Sequence, residues 1–456
     1  MNHGVPSPSA TSRGKPSTEP AGACAREEAG RAPLHCWRGD VLTVEAPGRC
    51  RIMLDHVLEV DASGRIAAIR PARPGERIEH DHRGCLIAPG FVDAHVHFSQ
   101  LDVIGSPAAG LLEWLERHTF PAEARFSDPA HAAIIAEVFL DELLRHGVTT
   151  ASVFCTSHTA SVDAFMAASR ERGLAMIAGK VLQDRHSPEA IRDDTEQSLR
   201  DSETLIARWH GRDRLLYALT PRFAPTSTER QLFGAAELAR AHPGVRIQSH
   251  LAENIDEIKW VRELFPSDRS YLGVYERIGL LTPQSVWAHC IHLDDRDRAV
   301  MRERGAIAAV CPTSNLFLGS GLFDFAKTPQ TWALASDVGG GSSFSPFRTM
   351  LAAYEIARLQ GQHLSPSTLW WHASTGSAQA LGLGDDIGTL NPGRFADVIV
   401  LQPRATPLLE RRWSSSRNDD ERLFSLIVLA DDRHIAETVV AGRIVHRSGA
   451  HRMPAR

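Results

Sequence analysis

Short apolar runs alternate with amphipathic stretches eight times between residues 89 and 390, and few architectures accommodate that rhythm over such a length. The first run closes the segment Pro89-Gly90-Phe91-Val92-Asp93-Ala94-His95-Val96-His97; the others span 147–154, 175–182, 215–223, 246–253, 286–293, 306–315 and 331–339. Stretches such as 132–145 and 229–241 carry apolar residues at helical spacing between them. About 300 residues of this kind predict an α/β fold, a (β/α)8 TIM-type barrel with loop insertions. A doubly wound sheet is the structural alternative. It would need a topological switch point and usually a phosphate loop, and no G-x-G-x-x-G follows a strand candidate.

The texture changes on either side of this region. Residues 32–88 hold short runs such as Val41-Leu42-Thr43-Val44 and Ile66-Ala67-Ala68-Ile69, broken by Gly, Pro and Asp. Similar runs return within 391–450, at Ala396-Asp397-Val398-Ile399-Val400-Leu401 and at 435–442. They read as antiparallel strands, and the expectation is a small β-sandwich domain assembled from both chain ends beside a barrel over 89–390. Residues 1–31 are rich in Pro, Ser, Gly and Ala without periodicity, which predicts a flexible tail.

Composition narrows the function classes. A net charge of -5 on 456 residues offers no basic face for nucleic acid. No apolar run reaches the length of a membrane span, and the N-terminus has no apolar core of a secretory signal. The cysteines at 24, 36, 50, 85, 155, 290 and 311 are scattered, and read as reduced thiols of a cytoplasmic protein.

In a barrel of this type chemistry is built at the C-terminal ends of the strands. Six of the eight candidate ends carry polar residues suited to it. His95 and His97 are two apart, so on a strand both side chains point the same way and can share one metal ion. Arg222 and Phe223 end the fourth candidate, His250 and Glu253 the fifth, His289 the sixth, Cys311-Pro312-Thr313-Ser314-Asn315 the seventh, and Asp337 before Val338-Gly339-Gly340-Gly341 the eighth. Singly each has a plainer account. A lone histidine can be buried and hydrogen-bonded, Asp337 can be a turn residue, Glu253 can be a first-turn helix acid, and Arg222 can be a surface charge. The joint pattern is harder to explain so. Three histidines and an aspartate form a nitrogen and oxygen donor set that suits Zn²⁺, with Fe²⁺ as the main competitor. A bound metal lowers the pKa of its water toward neutrality, and a neighbouring carboxylic acid must then carry protons. Glu253, three residues beyond His250, stands where such an acid is needed.

These segments together resemble the amidohydrolase superfamily: PGFVDAHVH, His-Leu-Ala-Glu at 250–253, His289, and Ser-Asp-Val-Gly-Gly at 336–340. Further stretches resemble its guanine deaminase family: Phe98-Ser99-Gln100 through Ser106, Trp114-Leu115, Thr119-Phe120-Pro121-Ala122-Glu123, Thr220–Phe223, the 311–321 segment and the 337–345 segment. The resemblance runs from about residue 36 to the C-terminus. It implies one zinc ion per subunit held by His95, His97, His250 and Asp337. It implies Glu253 as proton shuttle, His289 as the group that holds or polarises the attacking water, and Asp337 among the catalytic residues. Gln100, Arg222 and Phe223 match the family's guanine-binding positions, with His250 and Asp337 beside them. Guanine and water are the implied substrates, with no nucleic-acid or membrane partner, and a cytoplasmic homodimer working in purine catabolism is implied as well. Arg222 can donate to O6 of guanine, Gln100 can donate and accept along the purine edge, and Phe223 can offer its ring.

Two positions need comment. Val310 stands where the family often has histidine, and Lys180 lies on the third strand candidate, where a two-metal relative would place a carboxylated lysine. A Gly-Lys-Val context reads Lys180 as structural. Two other functions stay open: an aminohydrolase of another nitrogen heterocycle, such as a triazine or modified purine, and a non-catalytic scaffold on the same fold. The presence of all four implied ligands and Glu253 weighs against the scaffold.

Overall fold

The computed structural model describes residues 35–328 and 331–449, so the tail expected at 1–31 lies outside the described residues. In chain order the strands are β1 (His35–Ala46), β2 (Arg49–Val60), β3 (Ile66–Pro71) and β4 (His80–Pro89). The next eight are β5 (Phe91–His97), β6 (Val148–Phe154), β7 (Ala175–Gly179), β8 (Leu215–Pro221), β9 (Arg246–Leu251), β10 (Ser285–His289), β11 (Ile307–Val310) and β12 (Trp332–Leu334). The last three are β13 (Val398–Leu401), β14 (Ile435–Val440) and β15 (Arg443–Arg447).

Strands β5 to β12 pair in sequence order, every pair parallel, as the alternation predicts. The interior is narrow because small residues point into it: Ala94, Ala218, Ala288, Ala309 and Ala333 pack with Val92, Ile177, Val286 and Ile307. Alternate residues, such as Val153, Leu219, Trp287 and Val310, face the surrounding helices. Val310 is therefore a packing residue on the outer face of the barrel, and the departure noted there does not reach the interior.

The seam between β5 and β12 is closed just past the end of β12. Asp337 N donates to His95 O at 2.9 Å, and His97 N donates to Val338 O at 2.7 Å. The surrounding helices are fixed by local chemistry. Helix Pro129–Arg145 starts with Asp128 accepting from Ala130 N and buries Ile135, Phe139, Leu140 and Leu143. Helix Glu229–Ala241 starts with Thr228 accepting from Gln231 N. Both agree with the helical periodicity.

Six strands end earlier than the sequence predicts, β8 and β9 by two residues and the other four by more. β11 stops at Val310 because Pro312 cannot extend the ladder and instead opens helix Pro312–Phe317. β10 stops at His289, where His289 and Cys290 take positive φ of 71° and 52°. β12 covers only 332–334. The 175–182 run breaks at Lys180, after which Val181–Leu182 pairs separately with β8. Lys180 is buried in an ion pair with Asp193 at 2.5 Å, which supports reading it as structural.

The two chain ends build one mixed sheet in the order β15-β14-β13-β4-β1-β2-β3. The small β domain expected there takes the form of a single continuous sheet of seven strands, because β4 pairs with β1 on one side and β13 on the other. Trp37, Val41, Leu58, Val398 and Val439 fill a core on one face; Leu42, Leu86, Ile399 and Ile435 join the main core on the other. Only Gly90 separates β4 from β5, and a Cβ there would lie 2.2 Å from Thr149 Oγ1. Within this expected all-β segment the structure adds two helices, Pro407–Ser414 and Asp419–Leu429. Asn418 caps the second by accepting from Glu421 N at 2.9 Å, a start signal visible in Asn418-Asp419-Asp420-Glu421.

Candidate active site

At the C-terminal ends of the barrel strands, residues far apart in sequence meet at one point. The pairing register of β5 slips between Asp93 and Val96. Such a slip re-aims side chains, and it lets Ala94 fill the interior while His95 and His97 both reach the cluster. The Nε2 of His97 lies 3.2 Å from the Nε2 of both His95 and His250. Asp337 Oδ1 lies 3.1 Å from His95 Nε2 and 3.3 Å from His97 Nε2. Ligand atoms at the corners of a zinc tetrahedron stand roughly 3.4 Å apart, so this donor set fits one such ion. His250 Nδ1 donates to the carbonyl of Arg222 at 2.6 Å, which leaves Nε2 as the free lone pair toward the cluster. Phe154, at the end of β6, packs its ring 4.7 to 4.9 Å from the rings of His95, His97 and His250 and keeps water away on that side.

Charge at the point is set by this crowding. Burial, then the neighbouring imidazoles, hold His250 well below its usual range, and burial pushes His97 down to about 3, so both are neutral, the form that binds metal. Burial pushes Asp337 up, but hydrogen bonds from His95 and His97 outweigh it and hold the carboxyl well below the ordinary range.

His289 stands just outside. Its donors fall with those of His95, His250 and Asp337 in one group within 4.8 Å. Yet its Nε2 is 3.7 Å from Asp337 Oδ2 and 3.4 Å from Glu253 Oε2, longer than the 3.1 to 3.3 Å that join His97 to His95, His250 and Asp337 and join His95 to Asp337. That Nε2 is buried without a hydrogen-bond partner among the described residues, while Nδ1 donates to Asn315 Oδ1 at 2.9 Å. The arrangement fits a ring aimed at a small polar molecule between the acid and the cluster. Burial, then the charge of Asp337, pushes Glu253 up to about 8, moderated by the Ser320 hydroxyl that donates to Oε1 at 2.8 Å. Such a carboxyl is matched to exchange a proton near neutral pH. Glu257 fixes the turn beneath it: Oε2 accepts from the backbone N of Glu253 at 2.9 Å and of Asn254 at 3.1 Å, and Oε1 accepts from Tyr271.

The same cavity is lined by His97, His250, Glu253, His289 and Asp337 on one side and by Gln100, Arg222 and Phe223 on another. Leu111, Trp114, Leu115 and Leu318 supply an apolar wall. Gln100 Nε2 donates to Glu123 Oε1 at 3.3 Å, and Arg222 Nη1 donates to Glu123 Oε2 at 2.6 Å. The 339–341 loop presses close to this wall; a Cβ at Gly339 would lie 2.5 Å from Gln100 O.

All nine residues singled out in the sequence therefore gather at this point or line its cavity. Sequence reasoning assigned no role to Glu123, Glu257, Asn315 and Ser320. Glu257 had a signal, the Asn254-x-x-Glu257 capping box at the start of helix Ile255–Leu264. Asn315 closed the polar end of the seventh strand candidate without a role of its own, while Glu123, between alanines, and Ser320, between glycines, sit inside the segments that carried the resemblance with nothing local to mark them further.

A model of the amidohydrolase family matches residues 86–445. The guanine deaminase of Escherichia coli (strain K12) is 44% identical over 369 residues, covering 80% of this chain and 84% of the relative. The solved structure of E. coli guanine deaminase matches with a TM-score of 0.87 and 39% identity, covering 91% of this chain and 100% of that one. Guanine deaminase from C. acetobutylicum, solved with guanine bound in its active site, matches with a TM-score of 0.81 and 27% identity, over 90% of this chain and 100% of that one. The chain belongs to the amidohydrolase family.

Proposed function

We propose that this chain is a metal-dependent guanine deaminase, which hydrolyses guanine to xanthine and ammonia. The observation that carries the reading is the single cavity shared by the histidine–aspartate cluster, Glu253 and the wall of Gln100, Arg222 and Phe223. The similarity to guanine deaminases over most of the chain supports it.

His95, His97, His250 and Asp337 are the residues that would hold the ion, and Zn²⁺ suits their three nitrogens and one oxygen. When bound, the ion supplies the Lewis acidity that makes water a nucleophile at neutral pH. Arg222 donates to O6 of guanine, Gln100 reads the adjoining edge, and Phe223 packs on the ring, so that C2 faces the cluster. Glu253 takes a proton from the attacking water and delivers it to N3. It then takes the remaining proton from the oxygen added at C2 and passes it to the amino group there, which leaves as ammonia as the C2 carbonyl forms. His289 Nε2, oriented through Asn315, holds the water in line. Adenine lacks both O6 and the C2 amine and would offer Arg222 no oxygen in the cavity to donate to, a mismatch that buried polar sites reject strongly.

A homodimer acting in purine catabolism in the cytoplasm completes the proposal; the six cysteines among the described residues are free thiols, which suits a reducing compartment. The test is ammonia release from guanine, adenine and a triazine by metal-analysed protein, before and after chelation. Guanine turnover lost on chelation is expected. Inert guanine with metal bound would overturn the reading, and preferred turnover of the triazine would replace it with the other aminohydrolase.

A further inference from the structure

Glu123 is a fully buried carboxylate that meets the cavity only through two other side chains. Its Oε2 accepts from Arg222, whose side chain is 2% exposed, and its Oε1 accepts from Gln100. Phe120, three residues earlier, places its ring 5.3 Å beneath the Arg222 guanidinium. We propose that Glu123 is a positioning residue that fixes both polar members of the substrate wall and, by balancing the charge of Arg222, tunes the cavity for a neutral purine over an anionic one. The inference rests on the guanine deaminase reading.

Two features lead to it. The first is orientation. An amide can turn end for end, and the two ends offer opposite hydrogen bonds. A carboxylate has no donor, so it selects the Nε2 end of Gln100, and the carbonyl end then accepts from Gly339 N at 3.4 Å. The second is charge. A guanidinium in a buried cavity without a counter-ion would favour anions. Deamination replaces the C2 amine with a carbonyl, and the resulting dioxopurine loses a proton more readily than guanine does. An unbalanced Arg222 would therefore retain the ionised product. Paired with Glu123, it keeps its hydrogen-bonding reach without a net charge, so guanine is recognised and ionised xanthine is not held.

Glu123→Gln tests both halves, because it keeps the shape, removes the charge and turns an NH2 toward one of the two donors. The expected result is a KM for guanine raised roughly tenfold or more with a smaller fall in kcat. Inhibition by xanthine should become stronger than in the wild type, and stronger still as pH rises through the ionisation of xanthine. In the wild type the same pH series should weaken xanthine inhibition. A purely structural role would lower thermal stability and the active fraction while leaving the wild-type pH trend of xanthine inhibition in place. That result, or an unchanged KM in folded Glu123→Gln, would overturn the proposal. Should that variant fail to fold, Glu123→Asp, which keeps the charge but shortens its reach, decides: a raised KM for guanine with the wild-type pH trend of xanthine inhibition supports the proposal, and an unchanged KM overturns it. Absence of guanine turnover by metal-loaded wild type is a separate result that would remove the underlying function.

Discussion

The backbone carbonyl of Arg222 accepts the Nδ1 hydrogen of His250 at 2.6 Å, while the side chain of Arg222 pairs with Glu123, also at 2.6 Å. One residue thus orients a ligand histidine with its main chain and the substrate wall with its guanidinium. The two functions are separable, because a substitution removes the second and keeps the first.

Arg222→Ala should accordingly retain its metal and lose guanine binding, with KM raised and kcat/KM reduced on the order of 10²-fold. It should also be less stable by about 3–5 kcal/mol, since the buried Glu123 carboxylate is left without its cation. Adding Glu123→Gln to Arg222→Ala should restore part of that stability in urea unfolding, although not the activity. Unchanged kinetics on guanine in the single variant would remove Arg222 from the wall.

Glu253→Gln should bind metal as the wild type does, because the residue lies outside the inner four donors, but lose roughly 10²–10⁴-fold in kcat. Metal analysis beside the rate measurement separates the two effects. Loss of metal in this variant would contradict its role as proton carrier.

Ser320→Ala should move the acidic limb of the kcat/KM profile upward. The Ser320 hydroxyl holds the Glu253 carboxyl below where burial alone would put it. Removing that bond raises the carboxyl further, so the proton-accepting form is reached only at higher pH. A hydrogen bond of about 1 kcal/mol corresponds to roughly 0.7 of a pH unit. A limb that stays in place, or moves down, would show that another group governs it.

Chelation should abolish turnover and also lower the thermal midpoint, with both restored by Zn²⁺. A ligand that binds only the folded state stabilises it by about 4 kcal/mol at a thousandfold excess over Kd. Three imidazoles and a carboxylate crowded within 3.3 Å along the measured pairs gain most from it. A midpoint insensitive to chelation would place the metal elsewhere or show none bound.

Strand ends in a barrel converge, so the alternating pattern could bring His95, His97, His250, His289 and Asp337 to one end of the fold without knowing any contact; which of them would hold a metal came from the family resemblance. Their exact approach was not legible. The slip in β5 between Asp93 and Val96 and the positive φ at His289 and Asp337 depend on how neighbouring strands pair. Pro312 could have announced the helix that carries Asn315, but the apolar run before it read as a longer strand. Glu123 was invisible for a different reason. It lies 23 residues beyond Gln100 and 99 before Arg222, and its meaning arises only when the fold brings all three together.

The seam of the barrel adds one consequence. The bonds that close it run between Asp337 and His95 and between His97 and Val338, so the residues that shut the ring are themselves proposed ligands or next to one. A nascent chain that has emerged only as far as β11 carries three of the four donors and no way to fix the fourth. Holding a metal through all four would therefore require that β5 has already met the segment just past β12, so the centre and the closed ring would form together.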